Sequence, residues 1–299
     1  MLCPRLIRWL QPWRANAPRR REVLCLTREQ IHRMSYLEWG RADNPRVLLC
    51  VHGLTRNALD FEPLARALCG HYRVVCPDMP GRGDSDWLAH HEDYVINTYQ
   101  GHILTLIARL DVAELDFVGT SMGALLGMAL AALPGNPVRR LVLNDAGAQL
   151  EVAALRRIAG FVGRAPVFPD FAAVLAYQRQ IGPGFGPLSD AQWAFLARNA
   201  ARQAPDGWHL RYDPAIGDAM RATLGEVAVN LWHTWDAVRC PTLLLRGEHS
   251  DLTSAATAQE MARRGPQARC VEVPATGHAP MLLDDWQIGV LRDFLLEGR

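Results

Sequence analysis

A serine between two glycines is the first feature of this chain that points to chemistry. Gly119-Thr120-Ser121-Met122-Gly123 fits the pattern G-x-S-x-G in a chain with only six serines. The chain's own composition gives roughly 0.04 chance occurrences of this pattern. An apolar run, Leu115–Val118, precedes the serine, and a helical pattern begins at Met122. Ser121 is therefore predicted to lie at a tight strand-to-helix turn, which suits a nucleophile.

A serine hydroxyl is too weakly acidic to attack unaided, so the sequence must also supply a base. His278 lies in Gly277-His278-Ala279-Pro280, after the last predicted strand, Cys270–Val273, and before the final helix. His278 is therefore the predicted general base. No metal or cofactor is required by such a pair.

The base needs a carboxylate that holds its tautomer and stabilises its protonated form. Asp251 follows the predicted strand Thr242–Arg246, and it gives the chain order Ser, Asp, His of one known fold. Glu248 lies in the same loop. Asp145 directly follows the predicted strand Leu141–Asn144, from which it could also reach the histidine. We predict Asp251 as the acid and keep Glu248 and Asp145 as alternatives.

Two backbone N–H groups are expected to form an oxyanion hole. Met122 follows the nucleophile and supplies the first. The second is predicted to be Leu54, in the loop His52-Gly53-Leu54-Thr55 after the strand Val47–Val51. Gly53 would let the backbone approach the substrate, and His52 is predicted to be a structural histidine bonded within the loop.

Arg56 lies two residues beyond the predicted donor Leu54. Its guanidinium could reach the mouth of a pocket and hold a substrate carboxylate, which makes it a candidate substrate-binding residue. The competing interpretation is a structural arginine paired to Asp60 or Glu62.

Strand-like runs alternate with helical patterns, which predicts a mainly parallel sheet covered by helices. The two earliest runs precede any helix and are predicted to form an antiparallel edge. The predicted strands are Val23–Leu26, His32–Glu38, Val47–Val51, Arg73–Cys76, Leu115–Val118, Leu141–Asn144, Thr242–Arg246 and Cys270–Val273. The predicted helices are Phe61–Leu68, Asn97–Leu110, Met122–Leu133, Ala255–Arg264 and Trp286–Leu296.

These patterns predict four segments. Residues 1–21 are predicted to form an arginine-rich N-terminal extension, and residues 22–148 and 239–299 are predicted to form the α/β core. Regular strand runs stop between residues 149 and 238, where the composition turns to alanine, arginine and aromatics. This stretch is predicted to be a mostly helical insertion folded over the sheet.

Composition excludes several classes of function. The formal charge is +1, which gives no electrostatic case for nucleic-acid binding, and the chain contains no lysine, so lysine-based catalysis is excluded. The seven cysteines include no C-x-x-C pair, so we predict no metal site and a reducing, cytoplasmic compartment. No stretch is predicted to span a membrane, although the arginine-rich extension could associate with a membrane surface.

These motifs together resemble the α/β-hydrolase fold superfamily, from about residue 47 to the C-terminus. The resemblance rests on His52-Gly53, on the turn at residues 78–85, on the G-x-S-x-G pattern, and on Asp251 and Gly277-His278. It implies a mostly parallel eight-stranded sheet with helices on both faces and a helical cap, here residues 149–238.

The resemblance implies a serine hydrolase that cleaves small or medium carboxylic esters through an acyl-enzyme, without a cofactor, as a monomer or homodimer. Two alternatives remain open. One is a carbon–carbon bond hydrolase of ring-cleavage products, although these relatives usually carry tryptophan where Ala279 stands. The other is a ligand receptor of the same fold with little turnover.

Overall fold

The central feature of the protein is an eight-stranded sheet. The computed structural model describes residues 17–225 and 227–298. The strands are β1 (Arg19–Leu26), β2 (Ile31–Trp39), β3 (Val47–Val51), β4 (Arg73–Pro77), β5 (Leu115–Thr120), β6 (Val138–Asn144), β7 (Gln149–Leu150), β8 (Ala201–Ala204), β9 (Gly207–Leu210), β10 (Val229–Asn230), β11 (Thr242–Gly247) and β12 (Arg269–Val273). The large sheet has the spatial order β1-β2-β4-β3-β5-β6-β11-β12. Strand β2 is antiparallel to β1 and β4, and the other neighbouring pairs are parallel, as predicted.

Helices cover both faces of this sheet. They are α1 (Glu62–Leu68), α2 (Ile96–Leu110), α3 (Met122–Ala131), α4 (Val152–Ala159), α5 (Phe171–Ile181), α6 (Asp190–Ala200), α7 (Ala215–Thr223), α8 (Trp232–Ala237), α9 (Ala255–Met261) and α10 (Asp285–Leu296). Side chains of successive strand residues point to opposite faces. Leu49 and Phe117 pack in one apolar cluster with α2 and α3, whereas Leu48 and Val118 pack in another with α1 and α10. The sheet is therefore buried on both sides, as its continuous apolar strands indicate.

The first strand begins earlier than predicted. Arg19 already pairs with Glu38 of β2 in the sheet register, so the N-terminal extension does not reach residue 21. Charge explains the difference, because the Arg19 guanidinium lies 2.8 Å from the buried Glu38 carboxylate and Arg20 forms an ion pair with Asp84. An edge strand tolerates such arginines, since one side of it faces solvent. The rest of the extension, residues 1–16, lies outside the described residues.

Residues 149–238, called the insertion below, connect β6 to β11. They contain the helices α4 to α8 and also four short strands, which the sequence did not predict. Strands β8 and β9 form a hairpin around the Pro205-Asp206-Gly207 turn, and β7 pairs with β10. Across the described ranges, none of the helices combines the length and the apolar character that crossing a membrane requires.

Candidate active site

Ser121 occupies the turn between strand β5 and helix α3. Its backbone is left-handed, with φ of 54° and ψ of −114°. The Ser121 N–H donates to the Asn144 carbonyl at 2.9 Å, and the Ser121 carbonyl accepts from the Ala124 N–H at 2.9 Å. These bonds hold a strained conformation that L-residues rarely adopt, and such strain is typical of functional sites.

Two glycines make this turn sterically feasible. A Cβ on Gly119 would lie 2.2 Å from the backbone of Gly123, and a Cβ on Gly123 would lie 2.0 Å from the Val51 carbonyl oxygen. Neither position has space for a side chain. The G-x-S-x-G pattern is thus explained by two close contacts, of strand β5 with the start of helix α3 and of helix α3 with the end of strand β3.

We expect Gly123→Ala to displace helix α3 and to lower the free energy of unfolding by about 3 kcal/mol, because the new methyl group would meet backbone that cannot rotate away. Gly101→Ala is the matched control, since Gly101 lies inside helix α2 and its Cβ would meet nothing within 4 Å. That control should stabilise the protein by about 0.5–1 kcal/mol. Chemical denaturation measures both values, and equal stability of the two variants would contradict this packing.

His278 lies in the loop between β12 and α10, and its imidazole faces the serine. The Ser121 Oγ and His278 Nε2 atoms are 2.9 Å apart. The loop contacts the insertion, because the Gly277 N–H donates to the Gly184 carbonyl at 2.8 Å. A Cβ on Gly184 would lie 3.1 Å from the backbone N and O of His278. The insertion therefore fixes the backbone that carries His278.

The other imidazole nitrogen of His278 faces Asp145. The Nδ1 atom lies 2.9 Å from the Asp145 Oδ2 atom. Asp145 directly follows β6 and is fully buried, and its own N–H donates to the Leu245 carbonyl of β11 at 2.8 Å. The Gly247 N–H approaches the second carboxylate oxygen at 3.3 Å. Ser121, His278 and Asp145 thus form one continuous hydrogen-bonded chain.

The structure does not bring the predicted acid, Asp251, to the histidine. Both Asp251 oxygens accept from Arg157 of helix α4, at 2.6 and 2.8 Å, and the Asp251 side chain is 44% exposed. The alternative Glu248 accepts from the Ala275 N–H at 2.8 Å. Asp251 lies away from His278 because the loop after β11 extends toward Arg157 of the insertion, whose charge it pairs with. Asp145, in contrast, stays at the end of its strand.

The two predicted oxyanion donors lie beside the serine. Leu54 and Met122 both line the cavity that contains Ser121, and a Cβ on Gly53 would lie 3.7 Å from the Ser121 Cβ. Among the hydrogen bonds of residues 17–225 and 227–298, none uses the N–H of Leu54 or Met122. Both groups therefore remain available to a negatively charged oxygen, which is the arrangement expected of an oxyanion hole.

His52 is the first residue of the loop that contains Leu54, and its side chain is buried. Its Nδ1 lies 2.7 Å from the Gly53 carbonyl, and its Nε2 accepts from the Met79 N–H at 2.9 Å. Burial lowers the pKa of His52 to about 3. A neutral ring with one donor and one acceptor satisfies both bonds, so His52 holds the loop in place, as predicted.

Arg82 stabilises the loop that contains Leu54 by a hydrogen bond to its backbone. It is fully buried, and its guanidinium donates to the Leu54 carbonyl at 2.8 Å and to the Tyr99 hydroxyl at 2.6 Å. Tyr99 and Tyr94 also line the cavity, although no motif of the sequence indicates either of them. The spacing within helix α2 marks Tyr99 as core-facing, which is the one signal that could have found it.

Arg56 does not present a free guanidinium to the cavity. It makes two bonds to the Asp60 carboxylate, at 2.5 and 2.7 Å, and donates to the Gln178 side chain at 2.9 Å and to the Leu196 carbonyl at 3.1 Å. Its charge is therefore compensated, and four of its donors are engaged with Asp60 and the insertion. This geometry matches the competing structural interpretation and not the carboxylate-binding one.

We expect Arg56→Ala to lower the free energy of unfolding by about 3 kcal/mol, because the buried Asp60 carboxylate loses its charged partner and, among the described residues, keeps only the Asn199 amide at 3.3 Å. The kcat/KM values for neutral and acidic esters should fall by the same factor. Arg41→Ala is the control, since Arg41 makes a comparable pair with Asp43 but is exposed, and its unfolding midpoint should stay unchanged. A selective loss for acidic esters would restore the carboxylate-binding role.

A cavity of about 380 Å³ lies between the sheet and the insertion, with Ser121 and His278 on its wall. Its surface is mostly apolar. The apolar side chains include Leu125, Leu155, Ile158, Phe161, Ile216 and Met220. A volume near the lower end of the range of ~300–1,000 Å³ for small-molecule sites suits a short ligand.

Comparison with known proteins identifies the family of this chain. Residues 48–288 match the sequence profile of the Alpha/beta hydrolase family. The chain belongs to this family. An alpha/beta hydrolase from Novosphingobium aromaticivorans superposes on it with a TM-score of 0.84 at 34% identity, covering 93% of this chain and 98% of that one. The predicted fold class is therefore confirmed.

Two relatives whose names state an activity extend this result. A 3-hydroxybutyrate-oligomer hydrolase from Cupriavidus necator is 46% identical over 290 residues, which cover 93% of this chain and 98% of that protein. A 2-(acetamidomethylene)succinate hydrolase from Mesorhizobium japonicum is 31% identical and covers 78% of this chain and 81% of its own length. These similarities support a hydrolase activity for this chain.

Proposed function

We propose that this protein is a serine esterase that hydrolyses short ester-linked oligomers of 3-hydroxybutyrate. The observation that carries the proposal is the continuous chain from the Ser121 Oγ through the His278 imidazole to the buried Asp145 carboxylate, with 2.9 Å at each step. This is the geometry of nucleophile, base and orienting acid.

In the proposed reaction the Ser121 Oγ attacks an ester carbonyl while the His278 Nε2 accepts its proton. Asp145 holds the Nδ1–H tautomer and stabilises the imidazolium. The N–H groups of Leu54 and Met122 hold the oxyanion of the tetrahedral intermediate. His278 then gives the proton to the leaving 3-hydroxyl oxygen, and an acyl-enzyme on Ser121 remains. A water deprotonated by His278 releases the acid.

The substrate class rests on two observations. The relative that is 46% identical carries this activity in its name. In addition, the cavity is small and apolar, which suits the methyl and methylene groups of a short oligomer. The guanidinium groups of Arg56 and Arg157 on its wall are each paired with a carboxylate. The wall therefore favours the uncharged ester segment of the chain.

The test measures the turnover of four substrates by the purified protein. They are the 3-hydroxybutyrate dimer and trimer, methyl butyrate, and a vinylogous diketone acid of the ring-cleavage type. Chromatography measures the product of each reaction: 3-hydroxybutyrate from the oligomers, butyrate from methyl butyrate, and the two cleavage products of the diketone acid. We expect kcat/KM for the trimer to exceed that for methyl butyrate by about tenfold, because each added unit packs against the apolar wall.

Faster turnover of the diketone acid than of the trimer would favour carbon–carbon bond hydrolysis instead. Binding of the trimer without release of product would favour a receptor. Either outcome would overturn the proposed activity.

A further inference from the structure

A buried group of Cys25, His32 and His102 lies apart from the catalytic cavity. The three residues are 3%, 2% and 1% exposed, and none of them lines that cavity. Cys25 of β1 and His32 of β2 are direct partners in the sheet register, so their side chains share one face. His102 of helix α2 packs against them, and the His32 and His102 rings lie edge to face with their centroids 4.8 Å apart. The group, called the Cys-His-His cluster below, therefore joins the edge hairpin to helix α2.

The imidazole nitrogens of this cluster are unpaired. Within the described part of the chain, neither nitrogen of His32 and neither nitrogen of His102 has a hydrogen-bond partner. The backbone of Gln30 and Leu26 lies near the two rings but does not reach hydrogen-bond geometry. A buried polar atom without a partner typically costs about 1–3 kcal/mol. Two such histidines beside a thiol are unexplained by packing alone.

The donor atoms of the cluster converge. One nitrogen of each ring and the Cys25 Sγ atom all lie within 4.8 Å of one another. In a tetrahedral zinc site, with bonds of about 2.3 Å to sulfur and 2.0–2.1 Å to nitrogen, the donor atoms are about 3.5 Å apart. Inward movement of the side chains by about 1 Å would therefore complete three corners of such a site.

We propose that Cys25, His32 and His102 bind one thiophilic transition-metal ion, such as Zn²⁺ or Cu⁺, which joins the β1–β2 hairpin to helix α2. The cluster contains sulfur and nitrogen donors and no carboxylate ligand, which selects these ions over Mg²⁺ and Ca²⁺. On binding, the Cys25 thiol loses its proton to solvent as the metal–sulfur bond forms, and both histidines bind through neutral nitrogens.

Burial of the cluster opposes a positive charge, although the carboxylates of Asp86 and Asp93 attract one at His32. A Zn²⁺ ion with one thiolate leaves a net charge of +1. Asp86 is already paired with Arg33, so these carboxylates would compensate only part of that charge. Cu⁺ with the same ligands is neutral, and neutrality suits a site closed to water.

No local ligand spacing in the sequence indicates this cluster, so the sequence predicts no metal site. Cys25 and His32 are seven positions apart, and His102 is far away in the chain. Only the antiparallel register and the packing of helix α2 bring the three together, so no spacing rule could have found them.

The experiment uses the untagged full-length protein after treatment with a chelator. Zn²⁺, Cu⁺ and, as a spectroscopic substitute, Co²⁺ are added, and metal content is measured after gel filtration. We expect one ion per chain and a thiolate-to-Co²⁺ charge-transfer band. Cys25→Ala and His102→Leu should each weaken binding at least tenfold. Cys270→Ala, which removes an exposed thiol, should bind as the wild type does.

A second measurement needs no variant. The wild-type protein is alkylated with iodoacetamide in mild denaturant, with and without Zn²⁺ or Cu⁺, and the modified cysteines are located by mass spectrometry. Selective protection of Cys25 by either ion supports the site. Protection of another cysteine, or a charge-transfer band that persists in Cys25→Ala, would overturn it, and so would the absence of binding by both ions.

Hydrolysis of the 3-hydroxybutyrate trimer should be unchanged in Cys25→Ala, which separates this proposal from the proposed esterase activity.

Discussion

Ser121→Ala should lower kcat for the 3-hydroxybutyrate trimer by about 10⁴-fold or more, which is the largest effect that we expect of any single substitution. The variant keeps the cavity and the two N–H donors of Leu54 and Met122 but loses the atom that forms the acyl-enzyme. Removing the serine of such a triad leaves only the residual rate that binding and the oxyanion hole provide.

Steady-state release of product measures this loss, and labelling by a fluorophosphonate gives an independent readout. Wild-type protein should be labelled at Ser121 and the variant should not. Ser254→Ala is the matched control, because Ser254 caps helix α9 through the Thr257 N–H and has no contact with the cavity. It should lose about 1 kcal/mol of stability and keep its labelling. Undiminished turnover by Ser121→Ala would disprove the assignment of the nucleophile.

Asp145→Asn should lower kcat by about 10³–10⁴-fold, because the amide leaves the imidazole in the wrong tautomer and cannot stabilise the imidazolium. Asp251→Asn should change kcat by less than about threefold, since Asp251 faces Arg157 and its side chain is 44% exposed. The pair of variants distinguishes the two candidate acids directly, with substitutions of the same size and chemistry.

The measurement is kcat on the 3-hydroxybutyrate trimer for both variants, with circular dichroism to verify that each is folded. A large loss in Asp251→Asn with little change in Asp145→Asn would reverse the assignment. Comparable losses in both would mean that the loop after β11 takes part in catalysis.

That Ser121 and His278 lie side by side could be predicted, because local sequence determines where each of them is placed. Glycines flank Ser121 where backbone groups of neighbouring elements come within about 2 Å of any added Cβ, so the pattern reports a steric requirement. His278 follows the last strand of the sheet, and the carboxyl ends of parallel strands meet at one edge. Chain order and strand position were therefore sufficient for both residues.

The acid could not be predicted from local sequence, because carboxylates follow two neighbouring strands: Asp145 directly after β6, and Asp251 in the loop after β11. Strands β6 and β11 are adjacent and parallel, so Asp145 and Asp251 both emerge at the same edge of the sheet. The choice depends on Arg157, which comes from the insertion and binds Asp251, and no local pattern reports that contact. The position of Asp145 directly after its strand is the sequence signal that makes it an alternative.

The full set of Arg56 contacts could not be predicted from local sequence either. Its position beside the predicted oxyanion loop indicates that it lies near the cavity, and the proximity of Asp60 in sequence indicates a partner for its charge. Its bonds to Gln178 and Leu196 depend on how the insertion folds over the core, which composition alone does not describe. The extra strands of the insertion were missed for the same reason, because two- to four-residue strands leave no periodic signal.

The backbone contact between Gly184 and the His278 loop has a consequence for the redesign of this enzyme. Specificity is commonly altered by exchanging the segment above an active site for one from another protein. Here such a graft would have to supply a carbonyl for the Gly277 N–H and leave the space beside His278 free of a side chain. A replacement segment that packed well but carried a side chain at position 184 would displace His278, the proposed base. The chimera would then bind its intended ligand without cleaving it.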